Sequence, residues 1–482
     1  MSMKRRLLFL SVFLTLCSTL VFTTTGVAFA KASSTRSPSS CLVPNSTNTL
    51  KGALGGANYL VQVPANWNGT LLLYSHGYTF VGSPLTAADA SDPLTAAALL
   101  QQGYALAGSS YSQNGWALQQ AFHDQIALLD YFDATCGQPT RTIPWGDSLG
   151  GIITAGLVQL YPQRFAGAVP LCGVLSGGVG TWNQALDSAF AFNLLLAGNA
   201  LPLVHIQDPS GAFNQAEQII KDAQSTAQGR ARIALAAALA DTPGWFNEAS
   251  PAPASDDYAA QEQNQYLWDS QVDFAFIFLA RAELEARAGG NPSWNIGVDY
   301  RAQLQKSIDN KEVEALYKQA GLNLSQDLRA LNSAPRISPD LKAVEYLSKY
   351  ITFDGDLDIP VLTMHTTGDG LVVNENEQTY ATATRAAGDS RLLRQIFVNR
   401  AGHCTFTPAE NLVALQTLIH RLDTGKWDDT TDAALLNQEA AALGPGLNVL
   451  LVQSLPPQPS AFIHYEPAPF LRPFTFPSWF GE

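Results

Sequence analysis

The sequence is short of positive charge. Lys and Arg number 28 against 41 Asp and Glu, a formal net charge of −13, and no run of basic residues follows Arg6. A chain that grips nucleic acid through its phosphates needs a basic strip, so that class of partner is excluded. Long apolar runs are scarce too. One extends from Leu7 to about Phe22, short for a membrane span, and no charged stop-transfer cluster follows it. The five cysteines are scattered, with no His/Cys cluster around them, which argues against a zinc site. Internal repeats are absent. Core-forming residues are plentiful: 46% of the 482 residues are hydrophobic and 10% aromatic. That is enough for a large core and more than one domain, with no sign of wholesale disorder.

The first thirty residues read as an address. Lys4, Arg5 and Arg6 precede the apolar run, and Ala28-Phe29-Ala30 supplies a small-x-small cleavage pattern. This predicts a signal peptide over 1–30 and a secreted or extracytoplasmic protein with no stable membrane anchor after cleavage. Leu16, where a small residue is needed, argues against a lipid on Cys17. Cleavage removes three positive charges and no negative ones, lowering the formal charge from −13 to −16. It also removes Cys17 and leaves Cys41, Cys136, Cys172 and Cys404, an even set that predicts two disulfides in an exported chain. Residues 31–40, "KASSTRSPSS", form a polar Ser-rich leader.

From Cys41 the pattern alternates. "NYLVQV" (58–63), "TLLLYSHGY" (70–78), "GYALAGSSY" (103–111), "TRTIPWGDS" (140–148) and "FAGAVPLCGV" (165–174) read as strands, separated by helical stretches at 117–132 and 149–161. Continuously apolar strands alternating with helices predict an α/β fold, a mostly parallel sheet covered on both faces. From 176 to 350 strands vanish and helix formers dominate, which reads as a helical cap inserted into the sheet. The sheet pattern resumes with "IPVLTMHTT" (359–367) and "RLLRQIFV" (391–398). The expected organisation is therefore a core of 41–175 and 351–430, a cap of 176–350, and a Pro/aromatic-rich tail, 431–482, extended and packed on the core.

One short stretch carries chemistry. Gly146-Asp147-Ser148-Leu149-Gly150 stands where a predicted strand turns into a predicted helix. Glycines there permit a sharp turn that exposes the serine hydroxyl, and the helix start aims N–H groups at any negative charge forming above it. A serine hydroxyl needs a base, and the base an orienting acid. Of the histidines downstream, His205, His365, His403, His420 and His464, only His403 lies in a Gly-containing loop after the last predicted strand. Asp369, in the Gly-Asp-Gly turn after the preceding strand, is the matching acid. Asp354, Asp356 and Asp358 mimic a calcium loop, but Ile359 and His365 stand where glycine and glutamate are required. No metal or cofactor is called for. The N–H groups of Leu149 and of Tyr78, in the loop after "TLLLYSHG", are the expected oxyanion donors.

"SHGY", "GDSLGG…YPQRFAGAVPLCG", "IPVLTMHTTGDGLV" and "AGHCTF" together resemble the α/β-hydrolase superfamily, specifically its secreted serine hydrolases. The resemblance covers about 54–175 and 355–425. It implies a Ser148-Asp369-His403 triad cleaving small or polymeric carboxylic esters through an acyl-enzyme. A secreted aminopeptidase-like enzyme on the same fold is the alternative, with Glu217, Glu248, Glu262, Glu283 and Glu285 of the cap as candidate anchors for a substrate ammonium. A non-catalytic binding protein on the same scaffold would have no need of Ser, Asp and His in this order. His403-Cys404 is similar to the same pair in tannases and feruloyl esterases, although Asp147 stands where those have cysteine. In such a sheet Cys172 and Cys404 both fall at the carboxyl edge, and Cys41 and Cys136 at the opposite edge, which predicts the pairs Cys172–Cys404 and Cys41–Cys136. Trp182, Trp245, Trp268 and Trp294 of the cap predict an apolar acyl or aryl pocket.

Overall fold

The computed structural model describes residues 41–451 and 457–474. The predicted signal segment, the Ser-rich leader and the chain end at 475–482 lie outside them. Nine strands form one sheet: β1 (Asn48–Leu54), β2 (Ala57–Val63), β3 (Thr70–Ser75), β4 (Ala105–Ser109), β5 (Arg141–Asp147), β6 (Val169–Leu171), β7 (Val361–Gly368), β8 (Leu393–Ala401) and β9 (Phe462–Ile463). Their order is β1-β2-β4-β3-β5-β6-β7-β8-β9. Neighbours from β4 across to β8 run parallel, while β1, β2 and β9 join antiparallel. With helices on both faces, this is the α/β-hydrolase fold.

The strand sequences follow from burial on two sides. All six residues of β3 are buried. Leu71 and Leu73 pack under the helices Leu118–Cys136 and Leu149–Leu160. Leu72 and Tyr74 pack against Leu99 and the helix Pro408–Thr424 on the other face. A strand with apolar neighbours both ways shows no polar alternation. Two strands escaped the sequence reading for the opposite reason: β1 is a largely exposed edge strand, turned into β2 at Gly55-Gly56, and β9 is two residues long.

Between β6 and β7 the described chain is helical, from Gly177–Leu195 to Leu341–Lys349. This insertion has its own core, which includes Phe192, Ile220, Leu235, Tyr317 and Leu331. Within it the run 300–321 is two helices, Tyr300–Lys306 and Asn310–Ala320. A second helical run changes its winding: Tyr258–Trp268 continues through π-helical turns at Asp269–Asp273 and Ala275–Ala280 into Arg281–Ala288.

Ahead of its Pro/aromatic stretch the tail holds a helix, Ala433–Ala442, whose first N–H groups are capped by the Asp432 carboxylate. Beyond β9 the chain crosses to the insertion. There Arg472 forms an ion pair with Asp187 and donates to the Trp294 carbonyl at 2.9 Å.

Asp187 is fully buried and also accepts from Tyr300 Oη and Gln303 Nε2. Removing Arg472 leaves an acid in the core without its counter-charge. Arg472→Ala is expected to destabilise the protein by about 3 kcal/mol, and Asp187→Asn in the same background to recover much of it. Thermal unfolding of the single and double variants checks this, and an unchanged midpoint in Arg472→Ala would remove the tail from the set of stabilising elements.

Candidate active site

The geometry at Ser148 begins with a close approach. A Cβ on Gly150 would lie 1.8 Å from the Ser75 carbonyl oxygen, and one on Gly146 would lie 2.2 Å from it. Only glycine lets β5 and the helix Leu149–Leu160 come this near β3. Between them Ser148 adopts φ 59° and ψ −118°, strained for a side chain with a Cβ. Its N–H donates to the Leu171 carbonyl of β6, and its own carbonyl accepts from Gly151 N–H. The turn is thus pinned on both sides with its hydroxyl held outward.

His403 and Asp369 come from loops after β8 and β7 and meet Ser148 there. His403 Nε2 is 2.7 Å from Ser148 Oγ, and His403 Nδ1 is 2.7 Å from Asp369 Oδ2. A ring nitrogen facing a carboxylate carries the hydrogen, which leaves Nε2 free to accept the serine proton. Asp369 is fully buried. Its Oδ1 accepts from the N–H groups of Leu371 and Val372. Burial works to raise its pKa, but the charges and hydrogen bonds of His403 and His365 outweigh that and hold it below the usual carboxylate range.

His365, which sequence reading set aside as a strand-end histidine, lies directly behind Asp369. Its Nδ1 is 3.0 Å from Glu377 Oε1, and its Nε2 is 2.7 Å from the Val372 carbonyl and 3.5 Å from Asp369 Oδ2. Each ring nitrogen faces an acceptor, so each carries a hydrogen and the ring is an imidazolium. Burial opposes that charge, but the hydrogen bonds and charges of Asp369 and Glu377 prevail and push its pKa up to about 10. The sequence cue was faint: Glu377 is the third residue of the helix after β7, twelve positions away.

The two expected oxyanion donors border the same point. Tyr78 and Leu149 both line the cavity with Ser148, and a Cβ on Gly77 would lie 3.4 Å from Ser148 Cβ. A disulfide joins Cys172, just past β6, to Cys404 with a Cα–Cα distance of 5.5 Å, and another joins Cys41 to Cys136 at 4.8 Å. Cys404 Sγ is 3.4 Å from His403 Nε2. Cys172 and Cys404 both have positive φ, 42° and 56°, so strained backbone clusters at this edge.

The cavity beside Ser148 encloses about 820 Å³, part of it open to solvent. Trp116, Trp182, Val174 and Leu371 give it apolar walls, and Phe276 and Ile277 close it from the π-helical turns. Of the tryptophans singled out by sequence, Trp182 borders it. Trp268 stacks over Gly370, where a Cβ would lie 2.3 Å from its ring. Trp245 accepts at its carbonyl from Trp268, and Trp294 packs on Phe474. None of the five candidate glutamates lines the cavity. Glu283 instead accepts from Trp116 N–H, Glu285 from His205 N–H and Glu262 from Gln224. The acids that do line it are Asp269 and Asp273, missed by sequence reading. The available signal was their spacing, two acids in step with Ile277 on an otherwise apolar helical face. The expected apolar pocket is present, and it also holds two carboxyls. Asp147, next to Ser148, accepts from Tyr74 Oη at 2.7 Å, and burial pushes its pKa up to about 6. Among the described residues no group of acids, histidines and cysteines is arranged to hold a metal ion, and no helix is long and apolar enough to cross a membrane.

No family model matches the chain. It is 29% identical over 405 residues to an o-phthalyl amidase of Xanthobacter agilis, an alignment covering 78% of this chain and 87% of that protein. Among solved structures it is similar to an esterase from Aspergillus oryzae (12% identity, 78% and 79% of the two chains, TM-score 0.39). It is also similar to feruloyl esterase B of the same organism (14%, 79% and 81%, TM-score 0.38). At those scores the fold assignment rests on strand order and direction, not on the two structures.

The imidazolium behind Asp369 makes stability depend on pH. His365 keeps its proton up to about 10 when folded, against an ordinary value of 6.5. Its contribution is full below about 6.5 and is lost as pH rises toward 10. Glu377→Gln weakens the hold on that proton. The stability gap between wild type and Glu377→Gln is therefore expected to shrink from pH 6.5 to pH 10. Chemical denaturation at several pH values checks it, and a gap that stays constant over that range would mean His365 is already neutral at pH 6.5.

Proposed function

We propose that this chain is a secreted serine hydrolase that cleaves carboxylic esters through an acyl-enzyme. The observation that carries the reading is the hydrogen-bonded row Ser148–His403–Asp369, at the carboxyl edge of the sheet and open to a cavity. Ser148 Oγ attacks the substrate carbonyl carbon while its proton passes to His403 Nε2. The negative charge gathering on the carbonyl oxygen is met by the N–H groups of Leu149 and Tyr78. As the tetrahedral intermediate collapses, the carbon–alkoxy bond breaks and His403 returns its proton to the leaving oxygen. A water molecule, deprotonated by His403, then attacks the acyl carbon and frees the acid and Ser148. Asp369 holds His403 in the right tautomer and stabilises its charged form. The two disulfides fit an oxidising compartment, which supports secretion.

The relative from Xanthobacter agilis is named an amidase, and this favours a second reading in which the scissile bond is an amide. The same residues serve it, with His403 protonating a leaving nitrogen. An aminopeptidase-like specificity is a special case of that reading.

Ser148→Ala and His403→Ala are each expected to lower kcat by several orders of magnitude, with little further loss when combined, because the residues act as a unit. Asp369→Asn should fold and lose about 10⁴-fold. Steady-state rates on p-nitrophenyl esters of graded chain length check this, and near-wild-type turnover by folded Ser148→Ala would end the reading. The same preparation on matched p-nitroanilides separates ester from amide. We expect ester cleavage well above anilide cleavage, and the reverse would assign the amide reading.

A further inference from the structure

Two carboxyl groups in the Ser148 cavity have no work in the chemistry above. Asp269 and Asp273 stand one π-helical turn apart on the face that carries Ile277 into the cavity. Asp269 is 2% exposed. Neither carboxyl has a hydrogen bond or ion pair to another described residue. For Asp269 this is rare, because a buried carboxyl ordinarily finds a partner; Asp273 is half-buried. Two other buried acids of the insertion have a cationic partner: Asp187 has Arg472, and Asp327 has Arg232. The turns that carry the two aspartates are wound as a π-helix, a geometry kept in proteins chiefly at functional positions.

Their surroundings are acidic. Glu262 and Glu217 act on Asp269 from one side, and Asp369 acts on Asp273 from the other. Among the described residues no Lys, Arg or His lines the cavity. Burial and these like charges push Asp269 up to about 8 and Asp273 well above the usual carboxylate range. An anionic substrate group would meet no cation here and would hold both carboxyls in their protonated form. A cationic group would relieve the repulsion and supply the missing hydrogen-bond donors.

We propose that Asp269 and Asp273 form a subsite for a substrate ammonium group, so that the preferred substrates carry a primary amine on an otherwise apolar body. The proposal rests on Ser148 being the reacting centre of this cavity. It deepens that reading by naming what the pocket selects: the apolar walls hold the carbon skeleton and the carboxyl pair holds the charge.

Binding tests it without turnover. Hexylammonium and 1-hexanol have the same chain and differ in charge. By calorimetry, hexylammonium should bind wild type and Ser148→Ala at least about tenfold more tightly than hexanol, as a desolvated charge pair does. Asp269→Asn, which nearly reproduces the shape of a protonated aspartate, should abolish that difference, and Asp269→Glu should restore part of it. In turnover, the kcat/KM ratio of p-nitrophenyl 6-aminohexanoate to p-nitrophenyl hexanoate should be about ten or more in wild type and fall toward one in Asp269→Asn. Equal binding of the two probes, tighter binding of hexanoate, or a cation preference that survives in Asp269→Asn would each overturn the proposal. Failure to cleave either ester, with the hexylammonium preference intact, would instead overturn the proposed hydrolysis and leave the subsite standing.

Discussion

The active edge depends on how near β3 and β5 allow the helix behind Ser148 to approach. The Ser75 carbonyl occupies the space that a side chain at position 146 or 150 would need. That contact compresses the strand-to-helix turn until Ser148 takes a left-handed φ. The Leu171 carbonyl then pins the turn to β6. Everything else at the site is arranged around this fixed hydroxyl. Cys172, the next residue after β6, is bonded to Cys404, and Cys404 adjoins His403. The Ser148 turn and the His403 loop are therefore referred to the same strand end.

Behind that edge runs a line of buried charge. Glu377, His365 and Asp369 follow one another with no side-chain exposure, and His403 ends the line beside Ser148. An ionised carboxylate buried on its own would take up a proton, but a charged neighbour keeps Asp369 ionised. In front of the edge the environment reverses. The insertion brings aromatic walls and two carboxyls with no counter-charge. Behind the edge His365 and Asp369 face partners of opposite charge, whereas in front of it Asp269 and Asp273 face none.

Much of this was legible in the chain because local geometry and chemistry coincide at a few residues. The Gly-x-Ser-x-Gly turn, the Gly-Asp-Gly turn and the Gly-His-Cys loop each sit at the end of an apolar strand, and order along the chain brings Ser148, Asp369 and His403 together. Buried strands with apolar residues in every position were readable for the same reason. What stayed hidden depends on contacts between segments far apart. Asp187 and Arg472 are 285 residues apart, and nothing local marks either as half of an ion pair. His365 looks like any strand histidine until Glu377 folds back against it. Asp269 and Asp273 carry only a faint signal, their step with Ile277, because the π-helical winding that brings them to the cavity is not marked by any one residue. The exposed strand β1 and the short β9 lacked the apolar run by which the others were recognised.

The central claim is that Ser148 is an activated nucleophile. Its most direct measurement is covalent capture by an alkyl fluorophosphonate, followed by intact mass and peptide mapping. The account predicts one adduct per chain, on Ser148, formed by folded wild type and lost in His403→Ala. A folded wild-type protein that takes no adduct, or takes it on another residue, would contradict it.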